Sequence, residues 1–588
     1  MKTLLFLLAL AATLTRPARA QNPQLVIDQA ATLPSLATPG SGIIYDLSEY
    51  TDAQGNTYQA GTFSGTVHFG SFTFATGTGE MEVVVAKRNA TGTYQWALAG
   101  GGAGDQRCKA LTVDAAGNVY VTGSFPTATA TFGATVLTNR AAAGTTTSDV
   151  FAAKVTAAGA WDWAVSAGGG TRINGDDYGT AVGVDLFGNA YVAGTFTSSV
   201  AFFGSIQVPS PDRNGRDIAF VAKLSSGGIW QWVRNNEDFG SSATAVATDE
   251  AGNTYLSGHF RGRIHYGPFL VTASNGAQTA YIAKVDATGA WQWATAIQAG
   301  VLTNGHCQQF GVVLDRYGNA YSTGVFTSDT LKFDRTTLTN TGPRQPPAYT
   351  SRTYNAFVAK LNVATGRWRW AAQSRGDGDE GLGGPLFDAQ GQLYVGGGFS
   401  PPPGASGPGP GSQFGSTTLF SAGGDDIVVA QLDTAGRWLW ARRAGGPDNE
   451  GGAPRRLDAQ GRVYVAGSFY GSTLPLGALT LTALPGSWGN ASSTYSLFEA
   501  RLGVNGPLAV RNGRDDTFDV YPNPAHTAVT VAGLPPGQVV QVLDIVGRKV
   551  LAGTVPPQGT LQLALPAGLP PGVYLVRAGA QTRRLVVE

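Results

Sequence analysis

Short alternating apolar and polar runs, broken by Gly, Asn and Asp, fill most of this 588-residue chain, and one phrase returns seven times within them. Asp-x-x-Gly-(Asn/Gln/Arg)-x-Tyr-x-x-Gly-x-Phe begins at Asp52, Asp114, Asp185, Asp249, Asp315, Asp388 and Asp458 and closes on Phe63, Phe125, Phe196, Phe260, Phe326, Phe399 and Phe469. Alternation with a period of two is strand-like, and Asp-x-x-Gly between two such runs marks a turn: the carboxylate caps backbone N–H groups and Gly takes positive φ. Each phrase therefore predicts a hairpin. Repetition every 62 to 73 residues predicts a circular or stacked β-array rather than one enzyme-like core.

Repeat 2 shows the unit. Ala110 to Val113 and Val119 to Phe125 flank the first turn, a variable insertion carries Thr131-Phe132-Gly133 and Val136-Leu137-Thr138, and Val150 to Val155 with Trp161 to Val165 make a second hairpin. The third strand recurs in phrases such as Phe220-Val-Ala-Lys-Leu224 and Phe357-Val-Ala-Lys-Leu361. The fourth carries paired aromatics: Tyr94/Trp96, Trp161/Trp163, Trp230/Trp232, Trp291/Trp293, Trp368/Trp370 and Trp438/Trp440. Positions i and i+2 share a strand face, so both rings of a pair are expected to point the same way, packing on an adjacent unit. Four main strands per unit return the chain to the same side each time. The fold class expected is thus all-β, a seven-bladed β-propeller of four-stranded blades over residues 21–510, followed by a small Ig-like β-sandwich. Repeat 7 lacks the aromatic pair, and Gln24 to Ala31 is strand-capable, so this N-terminal segment is expected to close the ring in the last blade.

Composition narrows the function classes. Lys and Arg number 40 against 39 Asp and Glu, a net charge of +1, which gives no field to steer the chain toward nucleic acid. Lys2, the apolar run Leu4 to Leu14 and Arg16-Pro-Ala-Arg-Ala20 fit a signal peptide over residues 1–20. No other stretch is long and apolar enough for a transmembrane span. Cys108 and Cys307 fall in repeats 2 and 5, too far apart in a ring for a disulfide, and two free thiols are expected. A polar linker, residues 511–517, precedes a Pro-punctuated strand pattern over 518–588.

That last segment carries Tyr521-Pro522-Asn523-Pro524, Val529-Thr-Val531, Gly547-Arg548-Lys549-Val550, Gly572-Val573-Tyr574-Leu575 and Arg583 to Val587. In this order they resemble the type A C-terminal sorting domain of the Bacteroidetes type IX secretion system. The resemblance implies a partner, the type IX secretion machinery, and a secreted or outer-cell-surface location after crossing both membranes. The repeats resemble bacterial β-propeller repeats, with a strand order parallel to quinoprotein-like propellers; that family has no single activity, so the likeness implies fold only.

Candidate chemistry lies in the loops. By strand parity the loops between units share one face, and they are acidic: Asp105, Asp176, Asp177, Glu237, Asp238, Asp377, Asp379, Glu380, Asp448 and Glu450. They are expected to form a broken ring of carboxylates near the central channel. No zinc-type His/Cys spacing, Gly-x-Ser-x-Gly elbow or phosphate loop is present, and no catalytic residue, metal or cofactor is assigned. The expected function is a non-catalytic binding or structural module, monomeric, with a glycan, another surface protein or matrix as partner. The alternative is a secreted hydrolase or lyase acting on polysaccharide through carboxylates of several loops; a deep pocket with two carboxylates about 5 to 9.5 Å apart and an aromatic wall would mark it.

Overall fold

A computed structural model describes residues 27–32, 37–502 and 519–587, apart from 53, 141–146, 170–174, 211–214, 274–276, 301–305, 345–351, 389, 402–410, 458–461, 484–487, 491–492, 522–524, 533, 545–547, 558, 567 and 579–580. The signal-peptide and linker segments, Asp458, and Pro522, Asn523, Pro524 and Gly547 of the sorting motif lie outside the described residues. The chain divides into two compact units, Met1–Gly506 and Pro507–Glu588, and every described element is a strand.

The first unit is a succession of small antiparallel sheets, an architecture of the β-propeller type. Its second sheet sets the pattern, pairing Arg107–Val113, Val119–Phe125, Asp149–Val155 and Trp161–Gly168 in sequence order. Sheets of the same order run from Ala37 to Gly100, Asp177 to Asn235, Ser241 to Ala296, Cys307 to Arg375 and Glu380 to Ala444. The last contains Glu450–Leu457, Val463–Tyr470 and Ser493–Leu502, and its fourth strand is Ile27–Thr32 from the N-terminus, with Ile27 opposite Leu502 and Thr32 opposite Phe498. The expected closing strand is therefore in place. Each sheet's first strand touches the first strand of the next, and Glu450–Leu457 touches Ala37–Thr51, so the succession returns to its start.

The repeated phrase explains the hairpins atom by atom. The Asp114 carboxylate accepts bonds from the backbone N–H of Ala116 (3.0 Å) and Asn118 (2.9 Å), from the Asn118 amide (2.8 Å) and from the Tyr120 hydroxyl (3.1 Å). Gly117 sits at φ +83°, where a side chain is strained. Opposite Tyr120, Lys154 of the third strand lies with its ammonium 5.8 Å from the ring centroid, and the same Lys-over-Tyr contact recurs at Lys223/Tyr191 and Lys360/Tyr321. The second glycine of the phrase has another cause. A first-strand carbonyl lies against it, and a Cβ on Gly123 would overlap the Arg107 carbonyl oxygen.

A bulge also overturns the expected orientation of the aromatic pairs. Val155 faces Trp161 and Lys154 faces Trp163, so Asp162 is an extra residue and the two tryptophans occupy adjacent register positions on opposite faces. They clamp opposite neighbours. Trp161 packs on Phe132 (centroids 5.0 Å apart) and donates its indole N–H to the Ala99 carbonyl of the preceding sheet, whereas Trp163 packs on Tyr120 and donates to Ser226 of the following one. Forward clamps repeat at Trp96 to Ala157, Trp232 to Ala287, Trp293 to Val363 and Trp370 to Thr434.

The insertions form hairpins that reach backward. Val200–Phe203, paired with Ile206–Pro209, extends the preceding sheet by pairing Phe203 with Ala167, and Ser412–Phe414 extends its predecessor through Phe414 and Ser374. Thr131 bridges Gly101 in the same manner. Several of their aromatic residues, Phe132, Phe203, Tyr266, Phe333 and Phe414, are buried; each such side chain contributes about 1.5–3 kcal/mol.

The second unit stacks a three-stranded sheet (Asp519–Tyr521, Ala528–Ala532, Thr560–Ala564) on a four-stranded one (Lys549–Thr554, Val539–Leu543, Gly572–Ala578, Gln581–Val587). Val529, Val531 and Leu563 from one and Val540, Val542, Val576 and Leu585 from the other share its core.

Candidate functional site

The interblade acids do occupy one end of the sheets, beside the insertion hairpins, but Asp177, Glu380 and Glu450 are buried in the protein rather than turned toward solvent. Asp177 opens a first strand and is 1% exposed; it accepts bonds from the backbone N–H of Gly169 (2.9 Å), Thr197 (3.0 Å) and Ser198 (3.2 Å) and from the Ser198 hydroxyl. Glu380, also 1% exposed, accepts from the hydroxyls of Ser412 (2.7 Å) and Ser374 (3.2 Å), and Glu450 accepts from the Gly446 N–H (3.0 Å). Asp176 takes the Ser148 N–H, Asp238 the His265 N–H (2.6 Å) with its ring Nδ1 at 3.0 Å, and Asp379 the Tyr354 N–H (2.7 Å). Asp105 and Asp377 are half-buried; Glu237 and Asp448 are exposed. Part of the expected ring of carboxylates serves instead as anchors, with Asp177 bonded to Ser198, Asp238 to His265 and Glu380 to Ser412.

Burial dominates their electrostatics. It pushes Asp177 up to about 7 against its hydrogen bonds, Glu380 up to about 8, helped by the neighbouring Asp379 and Asp377, and Glu450 up to about 7, helped by Asp426 and Asp448. Two partners were not foreseen in the sequence. Asp149 and Asp426, each opening a third strand, are fully buried and raised by burial to about 7 and about 6. Asp426 pairs with Arg443 at 2.7 Å, and Asp149 accepts the Arg140 N–H. Room for them comes from glycine: a Cβ on Gly168 would overlap the Asp149 carboxylate, and one on Gly445 that of Asp426. The only signal was positional, an Asp at the head of a third strand paired with a Gly at the tail of the fourth.

A cavity of about 740 Å³ lies elsewhere, among the first strands. Gly381 to Gly384, Gly451 and Gly452 are among its lining, Phe310 and Tyr470 contribute rings, and Glu49 and Arg455 are its charged groups. Glu49 accepts a 2.6 Å bond from the Gln59 amide, which in turn accepts from Tyr94. None of the sequence-predicted acids lines it. Among the described residues no three His, Cys, Asp or Glu side chains converge as a metal site. Cys108 and Cys307 are buried free thiols, and burial pushes both up to about 12.

In the second unit, Tyr574 is buried and donates its hydroxyl to the Pro570 carbonyl (2.8 Å), while Tyr521 is half exposed. Arg548 closes a turn on Asp544, donating its backbone N–H (2.9 Å) and its guanidinium (2.7 Å), and Gly572 starts the strand that carries Tyr574. No helix among the described residues is long and apolar enough to cross a membrane.

No curated protein matches the chain significantly. Similar solved structures include a protein of unknown function from Dyadobacter fermentans (12% identity, covering 65% of this chain and 96% of that one, TM-score 0.31). Others are PorZ, an essential surface component of the type IX secretion system of Porphyromonas gingivalis (10%, 95% and 100%, TM-score 0.17), and a mutant of NanB sialidase from Streptococcus pneumoniae (10%, 83% and 72%, TM-score 0.34). TM-scores this low say nothing about function. Residues 519–588 match the secretion system C-terminal sorting domain, so this chain is cargo of the type IX machinery, exported to the cell surface or beyond.

Proposed function

We propose that the first unit is a closed seven-bladed propeller serving outside the cell as a non-catalytic, monomeric binding or structural module for a glycan or another surface molecule, and that the sorting domain, an Ig-like sandwich, delivers it there. The cyclic contact of first strands and the pairing of Ile27–Thr32 into the last sheet support the closed ring. One observation carries the non-catalytic reading: the loop-face acids buried deepest, Asp177, Glu380 and Glu450, accept bonds from backbone and hydroxyl groups. Glycoside hydrolysis needs two carboxyls facing one substrate across about 5 to 9.5 Å. The 740 Å³ cavity has a single carboxylate, Glu49, in its lining.

The test is paired. Purified protein incubated with soluble polysaccharides is expected to release no new reducing or unsaturated ends, while capture from surface extracts and on immobilised glycans is expected to retain a ligand. Polysaccharide cleavage that disappears in Glu380→Gln or Glu49→Gln would replace the binding reading with the hydrolase or lyase one.

A further inference from the structure

We propose that the cavity among the first strands is a saccharide-binding site; this rests on the reading of the propeller as a binding module and names the class of ligand it takes. Its volume, about 740 Å³, falls within the ~300–1,000 Å³ of small-molecule sites. Volume alone does not distinguish a site from a channel. The repeats supply the distinction, because they show what the fold tolerates at each register position.

The first-strand residue opposite the position before the closing Phe is Tyr45 in the first sheet, Arg107 in the second, Tyr178 in the third, Ser242 in the fourth and Gln308 in the fifth. In the sixth and seventh sheets it is Gly381 and Gly451. Neither glycine is demanded by the backbone, since neither has a left-handed φ, and neither is demanded by packing. A Cβ on Gly451 meets nothing within 4 Å, and one on Gly381 reaches only the Phe310 ring at 4.0 Å. Two residues on, Gly383 likewise meets nothing. By contrast, Gly397 and Gly467 of the second strands are required, because a Cβ there would overlap the carbonyl oxygens of Gly381 and Gly451. At Gly381, Gly383 and Gly451 the backbone and its neighbours would admit a side chain, and its absence keeps this cavity open.

The lining selects the ligand. Phe310 and Tyr470 line the cavity with 45% and 37% of their surface exposed, and aromatic rings of this kind stack on the C–H groups of a sugar. Glu49 and Arg455 add an acceptor and a donor. Among the described residues the glycine strands form a ladder on one side only, so peptide N–H and C=O groups along their inner edges lie outside any sheet pairing. An extended peptide would use such edges by adding a strand. Bulges between Gly383 and Leu386 and between Pro454 and Arg456 break the register, and Pro454 has no N–H to donate. Hydroxyl groups, which donate and accept without fixed register, suit this surface better than a peptide does.

The experiment uses the secreted protein and labelled neutral and uronic-acid oligosaccharides of two to six residues. Two variants borrow the residues of sister repeats, Gly381→Tyr and Gly451→Gln, and are expected to keep the wild-type Tm while weakening oligosaccharide binding at least tenfold; Phe310→Ala is expected to weaken it severalfold. If the wild type binds and both glycine variants bind equally well, the cavity assignment fails while the binding-module reading stands. If the wild type binds none of the oligosaccharides, the saccharide assignment fails, and retention of a protein from surface extracts decides the broader reading separately.

Discussion

The carboxylate of Asp114 accepts four hydrogen bonds within one hairpin, which is why the repeat begins on Asp and not on any turn-forming residue. Asp114→Ala is expected to cost about 1–3 kcal/mol in denaturant unfolding, the penalty for stranding partly buried donors. Glu380 acts in the opposite sense. Its folded-state value is raised to about 8, so the folded protein holds this proton more tightly than the unfolded chain does. The stabilisation is complete below the unfolded carboxyl range near ~4 and is lost as pH rises toward 8. Tm is therefore expected to fall by several degrees between pH 5 and pH 8, and Glu380→Gln to flatten that fall; thermal melts across the pH range check it. Turn carboxylates were legible because their spacing to Gly, Asn and Tyr is local. The buried loop acids were not, because what decides between a solvated acid and an anchor is a hydroxyl or N–H about 20 to 30 residues away, as between Asp177 and Ser198 or Glu380 and Ser412.

Strands and hairpins follow directly from the alternating pattern, yet the pattern misplaces the tryptophans. Period two holds only along an unbroken ladder, and the extra residue at Asp162 sends Trp161 backward and Trp163 forward. Such bulges arise from cross-strand pairing, which a linear reading does not contain. Directional coupling is the consequence. Trp161→Ala is expected to raise amide exchange in the preceding sheet near Ala99, and Trp163→Ala in the following turn near Ser226; each loses less than the ~3–5 kcal/mol of a fully buried Trp, because both rings are partly exposed. Hydrogen exchange read by mass spectrometry separates the two, and equal effects on both neighbours would refute the opposed clamps. The insertion hairpins were visible as strand pairs, but their attachment to the preceding sheet was not, since a loop sequence does not name its acceptor strand.

For the whole molecule, deleting residues 21–35 removes the outer strand of the last sheet and exposes the edge of Ser493–Leu502. A marked loss of Tm and of unfolding cooperativity is expected in calorimetry. Truncation after Val510 is expected to leave the first unit folded but retained inside the cell, since residues 519–588 carry the sorting domain; surface proteolysis of the native host reads this out. The closing strand also constrains kinetics. Ile27–Thr32 is made at the start of synthesis, and its partner Ser493–Leu502 is made only after every other strand of the unit. Contacts so distant in sequence form slowly. A chain not yet synthesised through Leu502 therefore has no means to latch, and a product terminated before that point keeps an open seam, which makes arrival of Ser493–Leu502 the checkpoint for a protease-resistant first unit.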